Sequence, residues 1–293
     1  MTPGNFALPS RLCRCQKPDG APLVGLLLDQ TIVDLTPAGI TDLTGLLESG
    51  DAAAALNRLA SPSLPRLPRA QVRLLCPLER QEVWAAGVTY TRSKQARMEE
   101  STFSATAYDR VYEAERPELF FKALPEKVSG PGEPIGVRRD SRWTVPEPEL
   151  ALVLNSRGII AGYTLGNDVS ARDLEGDNLL YLPQAKIYDR SCALGPAIAI
   201  GLDEPAVRSW QIELQVQRGG AVVFAGATPV GRIKRGFGEL AAALFRCQRF
   251  PQGAVLLTGT GIVPPDEFAL QPGDETSIHA AALGTLTNRA HLV

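Results

Sequence analysis

The stretch 143-WTVPEPELALVLN-155 decides how the rest of the chain is read. Two glutamates, Glu147 and Glu149, alternate with prolines and lead into Leu-Ala-Leu-Val-Leu. The segment reads as a strand entered through a stiffened turn, because Pro146 and Pro148 fix φ and remove two backbone donors. Residues two apart on a strand share a face, with Cα atoms about 6.6 Å apart. Glu147 and Glu149 therefore project together with Ala151 and Val153, while Leu150, Leu152 and Leu154 face the other way. Two carboxylates on one face repel each other unless a proton or a cation sits between them. The plain reading is a strand start with its charges at the wet end. The sharper reading is a cation site.

Outward from this strand, short β-rich segments punctuated by Gly and Pro continue from residue 76. They include 83-VWAAGVTY-90, 119-LFFKAL-124, 159-IIAGYTLG-166, 212-IELQVQRGG-220 and 254-AVLLTGTGIV-263. With 27 glycines and 23 prolines, the composition suits a turn-dense β architecture. Helical signals are confined to about 92–115, a short turn from Asp168, and 235–248. On the N-terminal side, 23-LVGLLLDQTIVDLT-36 reads as two strands joined at Asp29-Gln30. The segment 42-DLTGLLESGDAAAALNRLA-60 reads as helix, from its three- and four-residue apolar spacing. The Ser-, Pro- and Arg-rich stretch 61-SPSLPRLPRAQVRLLCP-77 reads as a connector. These features predict a β-dominated α+β fold with a small N-terminal α/β domain over 1–75 and a main domain over 76–293.

Composition narrows the function. A formal net charge of −2 over 293 residues argues against general binding to nucleic acid or anionic membranes. No apolar run reaches the roughly 20 residues that span a bilayer, and the N-terminus lacks a secretory core, so the sequence reads as cytoplasmic. The five cysteines are scattered, and Cys13-x-Cys15 does not have common zinc-site spacing, so they read as reduced structural thiols. Only His279 and His291 are present, which removes most histidine-based mechanisms. His279 itself reads as a strand residue.

A second acidic element follows in 166-GNDVSARDLEGDN-178. Asp168 reads either as an N-cap for the next turn or as a third carboxylate of an all-oxygen site of the kind that holds Mg²⁺.

The residues now carry a resemblance. The run RPELFFKALPEK, GEPIGVRRDSRWTVPEPELALVL, GYTLGNDVSARDLEGDN and LPQAKIYDRSCALGP, with 256-LLTGTGIV-263 and 283-LGTLTNR-289, resembles the fumarylacetoacetate hydrolase family. The likeness covers most of residues 80–293 and implies that family's mixed β-sandwich/roll fold. It also implies that Glu147, Glu149 and Asp168 bind a divalent cation, Mg²⁺ or alternatively Mn²⁺. Hydrolytic members carry N-Y-x-x-H-x-x-E, whose His-Glu pair activates water. Here 89-TYTRSKQA-96 has Ser93 and Ala96 in those places, and neutral serine is no general base without help. The phrases RPELFFKA, WTVPEPELA, NDVSARDLE and LYLPQAKIY resemble instead the branch that dehydrates 2-keto-3-deoxy pentonates to 2,5-dioxopentanoate.

The resemblance assigns roles accordingly. Glu118, beside Leu119, Phe120 and Phe121, is the first candidate for proton transfer; its plain reading is a surface partner of Arg116. Lys186 matches the family's active-site lysine, and Thr260 its carboxylate-binding threonine. Arg92 and Tyr90 are candidate substrate contacts. Arg172 lies in a family-like segment and reads alternatively as an ion-pair partner of Asp173. A 2-keto acid substrate and a homo-oligomer, dimer or tetramer, follow as expectations. An acylpyruvate-type hydrolase or a 2-keto acid isomerase or decarboxylase on the same scaffold is the alternative.

Overall fold

The strand Pro148–Leu154 lies inside a large mixed sheet, bonded antiparallel to Ile160–Asp168 on one side and to Ala254–Leu257 on the other. The structure, a computed structural model, describes residues 10–49, 51–59, 63–90 and 110–293. Ten strands of this sheet run side by side in the order Arg66–Pro68, Thr31–Asp34, Pro22–Leu27, Ser10–Gln16, Cys192–Ile200, Ile160–Asp168, Pro148–Leu154, Ala254–Leu257, Glu82–Gly87 and Glu118–Ala123. The run Leu-Ala-Leu-Val-Leu is apolar at every position because both faces are covered. Leu150, Leu152 and Leu154 pack into one core with Ile212, Leu214, Val216, Ile278 and Leu286 of a second, five-stranded sheet. Ala151 and Val153 face a different core, closed by Leu43, Leu46, Leu47 and Leu56 from the N-terminal helices. The two-faced pattern drawn from the strand period holds, and no wet face remains.

The five-stranded sheet shows the opposite pattern. In Gln211–Arg218, Ile212, Leu214 and Val216 are buried while Glu213 and Gln215 are exposed, the alternation of a sheet with one face on the core. The helix Phe237–Phe245 adds Phe237, Leu240, Ala241 and Leu244 to the same core, at three- and four-residue spacing.

The N-terminal reading needs one change. The helix expected over 42–60 is two helices, Leu43–Glu48 and Ala52–Leu59. The first starts where Asp42 accepts from the Gly45 N–H and Glu79 accepts from the N–H groups of Leu43 and Thr44. It stops at Ser49, whose hydroxyl donates back to the Leu46 carbonyl. The second begins afresh at Asp51, whose carboxylate accepts from Ala54. Two helix-start carboxylates within ten residues cut one periodic run into two. The hairpin around Asp29-Gln30 is present, between Pro22–Leu27 and Thr31–Asp34. Most of the helical segment 92–115 lies outside the described residues; its last part, 110–113, is helical. The strand expected over 254–263 ends at Leu257, and 258–263 turns across the sheet's end.

The candidate metal centre and its cleft

Five neighbouring strands bring their functional residues to one end of the large sheet. Glu147 and Glu149 open the strand Pro148–Leu154, and Asp168 closes its antiparallel neighbour. The register pairs Pro148 with Asn167 and Glu149 with Gly166, and the Asp168 N–H donates to the Glu147 carbonyl at 2.9 Å. Asn167 locks the entry further, its side-chain oxygen accepting from the Glu147 N–H at 3.0 Å. The proline-stiffened entry and the ladder thus set Asp168 beside Glu147 and Glu149, from which it lies 21 and 19 residues away in sequence. Gly166 is required opposite Glu149, since a Cβ there would lie 2.2 Å from the Leu257 methyl.

The three carboxylates are 1–3% exposed, so the wet-end reading of the glutamates does not describe them. One oxygen from each lies within 4.8 Å of the others. Octahedral Mg²⁺ with bonds near 2.1 Å sets its oxygens about 3 Å apart along an edge and about 4.2 Å across. An all-oxygen donor set at this separation fits a hard divalent cation.

Cations surround the cluster. Arg172 Nη2 meets Glu147 Oε1 at 2.7 Å. Lys186 Nζ bridges Glu147 Oε2 at 2.7 Å and Asp168 Oδ2 at 2.9 Å. Lys122 Nζ meets Asp168 Oδ1 at 2.6 Å and donates to the carbonyls of Val169 at 3.0 Å and Lys186 at 2.5 Å. Glu149 has no ion pair among the described residues; its Oε2 accepts from the Gly259 N–H at 2.6 Å. Burial, then the charges of Asp168 and Glu147, hold its carboxyl well above the usual carboxylate range. A bound cation would reverse that balance.

Two sequence readings are corrected here. Asp168 is not a helix N-cap: the helix Arg172–Asp177 begins after Ala171, and the Asp168 side chain is held by Lys122 and Lys186 instead. Arg172 pairs with Glu147, not Asp173, whose carboxylate accepts from the Ser141 hydroxyl and the Arg142 N–H.

Around the carboxylates a cleft opens, lined by Gly87, Glu118, Phe120, Glu175, Lys186 and Thr260 among others. Glu118 is half-buried at the start of the strand Glu118–Ala123, opposite Gly87. A Cβ on Gly87 would fall 2.1 Å from Glu118 Oε2, so the missing side chain is the seat of that carboxylate. The next residue, Val88, holds φ at 53°, an uncommon conformation for a β-branched side chain, and it also lines the cleft. Lys186 Nζ lies 5.7 Å from the Phe120 ring centroid, within cation–π range.

Thr260 is buried in the cleft wall, and its Oγ1 accepts from the Ile262 N–H at 3.2 Å. Thr260 thus belongs to a turn that forms part of the cleft wall. The preceding Gly259 takes φ 88°, which lets its N–H reach Glu149. Tyr90 lies behind this turn rather than in the cleft wall, its ring over Gly261 where a Cβ would come within 2.6 Å. Burial, with the charge of Glu149, raises its phenol. Arg92 lies outside the described residues.

Lys122 and Glu175 were not singled out from sequence. Lys122 was legible from the strand period, which places Glu118, Phe120 and Lys122 on one face. Glu175 was legible from the helix period, three residues after Arg172.

Comparison with known proteins places this geometry among relatives. The family model described as fumarylacetoacetate (FAA) hydrolase, C-terminal, matches residues 82–291. A probable 2-keto-3-deoxyxylonate dehydratase of Haloferax volcanii is 48% identical over 212 residues, covering 72% of this chain and 73% of the relative. The 2-dehydro-3-deoxy-D-arabinonate dehydratase of Saccharolobus solfataricus is 44% identical over 218 residues, 73% of each chain. A solved structure of 2-keto-3-deoxy-D-arabinonate dehydratase complexed with magnesium and 2,5-dioxopentanoate superposes with a TM-score of 0.81 at 36% identity, covering 97% of this chain and 99% of that one.

Proposed function

The chain belongs to the fumarylacetoacetate hydrolase family, and from that premise we propose that it dehydrates a 2-keto-3-deoxy pentonate, of arabinonate or xylonate type, to 2,5-dioxopentanoate. It is a Mg²⁺-dependent hydro-lyase of sugar-acid and pentose catabolism. The observation that carries this reading is the buried carboxylate triad opening onto a cleft that also holds Glu118 and Lys186. Relatives at 44–48% identity are named for this chemistry.

Glu147, Glu149 and Asp168 would hold the ion, which would supply Lewis acidity toward a 2-keto group. The chain's own residues do the remainder. Glu118, seated on Gly87, transfers the C3 proton. Lys186, with Phe120 under its ammonium, balances negative charge that develops on the substrate. Thr260 and the backbone of its turn hold the substrate carboxylate, and Tyr90 supports that turn from behind. Arg92 adds a cation from the segment where hydrolytic members carry their His-Glu pair. The dehydration needs a base and an acid but no activated water, so Ser93 and Ala96 cost it nothing.

The enzyme works in the cytoplasm as a homo-oligomer. Cys13 and Cys15, buried with their sulfurs 3.6 Å apart and not joined as a disulfide, suit a reducing compartment. No helix among the described residues is long and apolar enough to cross a membrane. Val222 and Val223, exposed on the sheet's outer strand Ala221–Pro229, support self-association, which light scattering tests directly.

The deciding experiment is turnover of both C4 epimers of a 2-keto-3-deoxy pentonate by metal-stripped protein, with and without Mg²⁺. The aldehyde product is followed through a coupled dehydrogenase. Mg²⁺-dependent aldehyde formation is expected. Its absence with both epimers, in protein that binds Mg²⁺ by calorimetry, overturns the dehydratase reading.

A further inference from the structure

Five carboxylates line the cleft among the described residues: the three of the triad, Glu118, and Glu175. Glu118 and Glu175 also line a second, outer cavity of about 440 Å³, walled by Leu119, Leu179 and Leu182. The two non-ligand carboxylates thus stand at the passage between the metal centre and the outer cavity. They come from unconnected elements, the strand Glu118–Ala123 and the helix Arg172–Asp177. That helix is anchored to the triad through Arg172 and Glu147, and its period turns Glu175 to the same face as Arg172. A keto acid with C1 and C2 at the triad must extend C3, C4 and C5 outward past this pair.

We infer that Glu175 is a second catalytic residue, the general acid that protonates the departing C4 hydroxyl, opposite Glu118 as the C3 base. The assignment rests on the dehydratase reading and deepens it. Burial favours the uncharged form of a carboxyl, and Glu175 is 3% exposed whereas Glu118 is half-buried. Two carboxylates in unlike surroundings are suited to opposite roles.

The protons balance over a full cycle. Glu118 takes a C3 proton, and the C–H pair becomes the C2=C3 bond of the enolate while the carbonyl pair moves onto oxygen. That pair then returns, C3=C4 forms, and the C4–O bond breaks with its electrons on oxygen. Glu175 gives that oxygen a proton, and water leaves. Glu118 now carries a proton and Glu175 is a carboxylate. Glu175 next removes a C5 proton, the C5–H pair becomes the C4=C5 bond, the C3=C4 pair moves onto C3, and Glu118 returns its proton to that carbon. The resulting 5-enol tautomerises in water to the aldehyde, and both carboxyls are back in their starting states.

The test separates acid from base. Wild type, Glu175→Gln and Glu118→Gln are loaded with Mg²⁺ and given 2-oxopentanoate, which lacks the C4 hydroxyl, in D₂O. Exchange at C3 is read by NMR. Glu175→Gln is expected to exchange at close to the wild-type rate while its dehydration of the pentonate falls about 10²–10⁴-fold. Glu118→Gln is expected to lose both. A 4-fluoro substrate, whose leaving group needs less help from an acid, should restore elimination to Glu175→Gln. Unchanged thermal melting and Mg²⁺ calorimetry of the variant control for folding. Dehydration retained within about tenfold, or C3 exchange lost together with dehydration, overturns the assignment of Glu175. A wild type that neither exchanges nor turns over overturns the dehydratase reading, and this inference falls with it.

Discussion

At the residue scale, Glu149 sets the pH behaviour of the site. It is buried beside Glu147 and Asp168 and makes no ion pair among the described residues, so burial and their charges outweigh the opposing charge of Lys186. Its folded-state affinity for a proton therefore exceeds that of an unfolded glutamate, whose pKa is about 4.3. A raised carboxyl contributes stability that is complete below the unfolded value and is lost as pH rises through the folded one. Metal-stripped protein should accordingly lose thermal stability as pH climbs above the ordinary carboxylate range. Glu149→Gln should flatten that loss. Because ligation needs the carboxylate, Mg²⁺ binding displaces a proton, and the rise in Tm on adding Mg²⁺ should grow with pH. Melting curves from acid to neutral pH, with chelator or Mg²⁺, check both; an equal Mg²⁺ shift at every pH would count against the coupling.

Lys122 belongs to the same scale. It ties Asp168, Val169 and Lys186 together from a fully buried position. Lys122→Met would leave Asp168 with one fewer cation in a dry setting. Breaking a buried ion pair from one side typically costs about 3–5 kcal/mol. Denaturant unfolding of the metal-stripped variant should show a loss of that order, and a change below about 1 kcal/mol would mean water reaches the pair.

At the element scale, the strand Pro148–Leu154 works in both directions: its first residues build the site and its later ones build the core. Leu152, fully buried between two sheets, tests the second role. Leu152→Ala should destabilise by about 2–5 kcal/mol, from lost transfer energy plus a cavity, while Mg²⁺ affinity stays near wild type. The strand Glu82–Gly87, separated from Pro148–Leu154 in the sheet by Ala254–Leu257, tests the first. In Gly87→Ala the new methyl would occupy the place of the Glu118 carboxylate. A displacement near 1 Å at a reacting group costs about 10²-fold in rate. A fall in kcat of that size, with Mg²⁺ binding intact by calorimetry, is the expected result; unchanged kcat would show that the carboxylate reaches substrate from another position.

At the scale of the whole molecule, the large sheet crosses the boundary drawn at residue 75. The strand Ser10–Gln16 pairs with Cys192–Ile200, and the N-terminal leucines close the core beneath Ala151 and Val153. We propose that residues 1–75 are a small α/β domain fused to the main sheet. A chain of residues 76–293 should then expose the strand edge of Ile198–Ile200 and an apolar face, and aggregate. Monomeric or native-size 76–293 with normal melting, seen by size-exclusion chromatography, would contradict this.

The sequence by itself determined much of what is local. Period-two alternation placed Glu149, Ala151 and Val153 against Leu150, Leu152 and Leu154, and the family resemblance carried by the E-x-E and N-D segments pointed to Glu147, Glu149 and Asp168 as candidate metal ligands. Dipeptide geometry and side-chain period are properties of a few adjacent residues, so they can be read from the string. What pairs across the sheet cannot. That Arg172 answers Glu147 rather than Asp173, that Lys122 holds Asp168, and that Glu175 and Glu118 line one cavity each depend on approaches between residues far apart in sequence. The same holds for the site's dryness: Glu147 and Glu149 could have ended a wet strand, and only tertiary packing, which sets Arg172, Lys186 and the Gly259 turn against them, put them out of water. Burial is a property of everything that surrounds a residue, and it changes a carboxylate's chemistry more than its neighbours in sequence do.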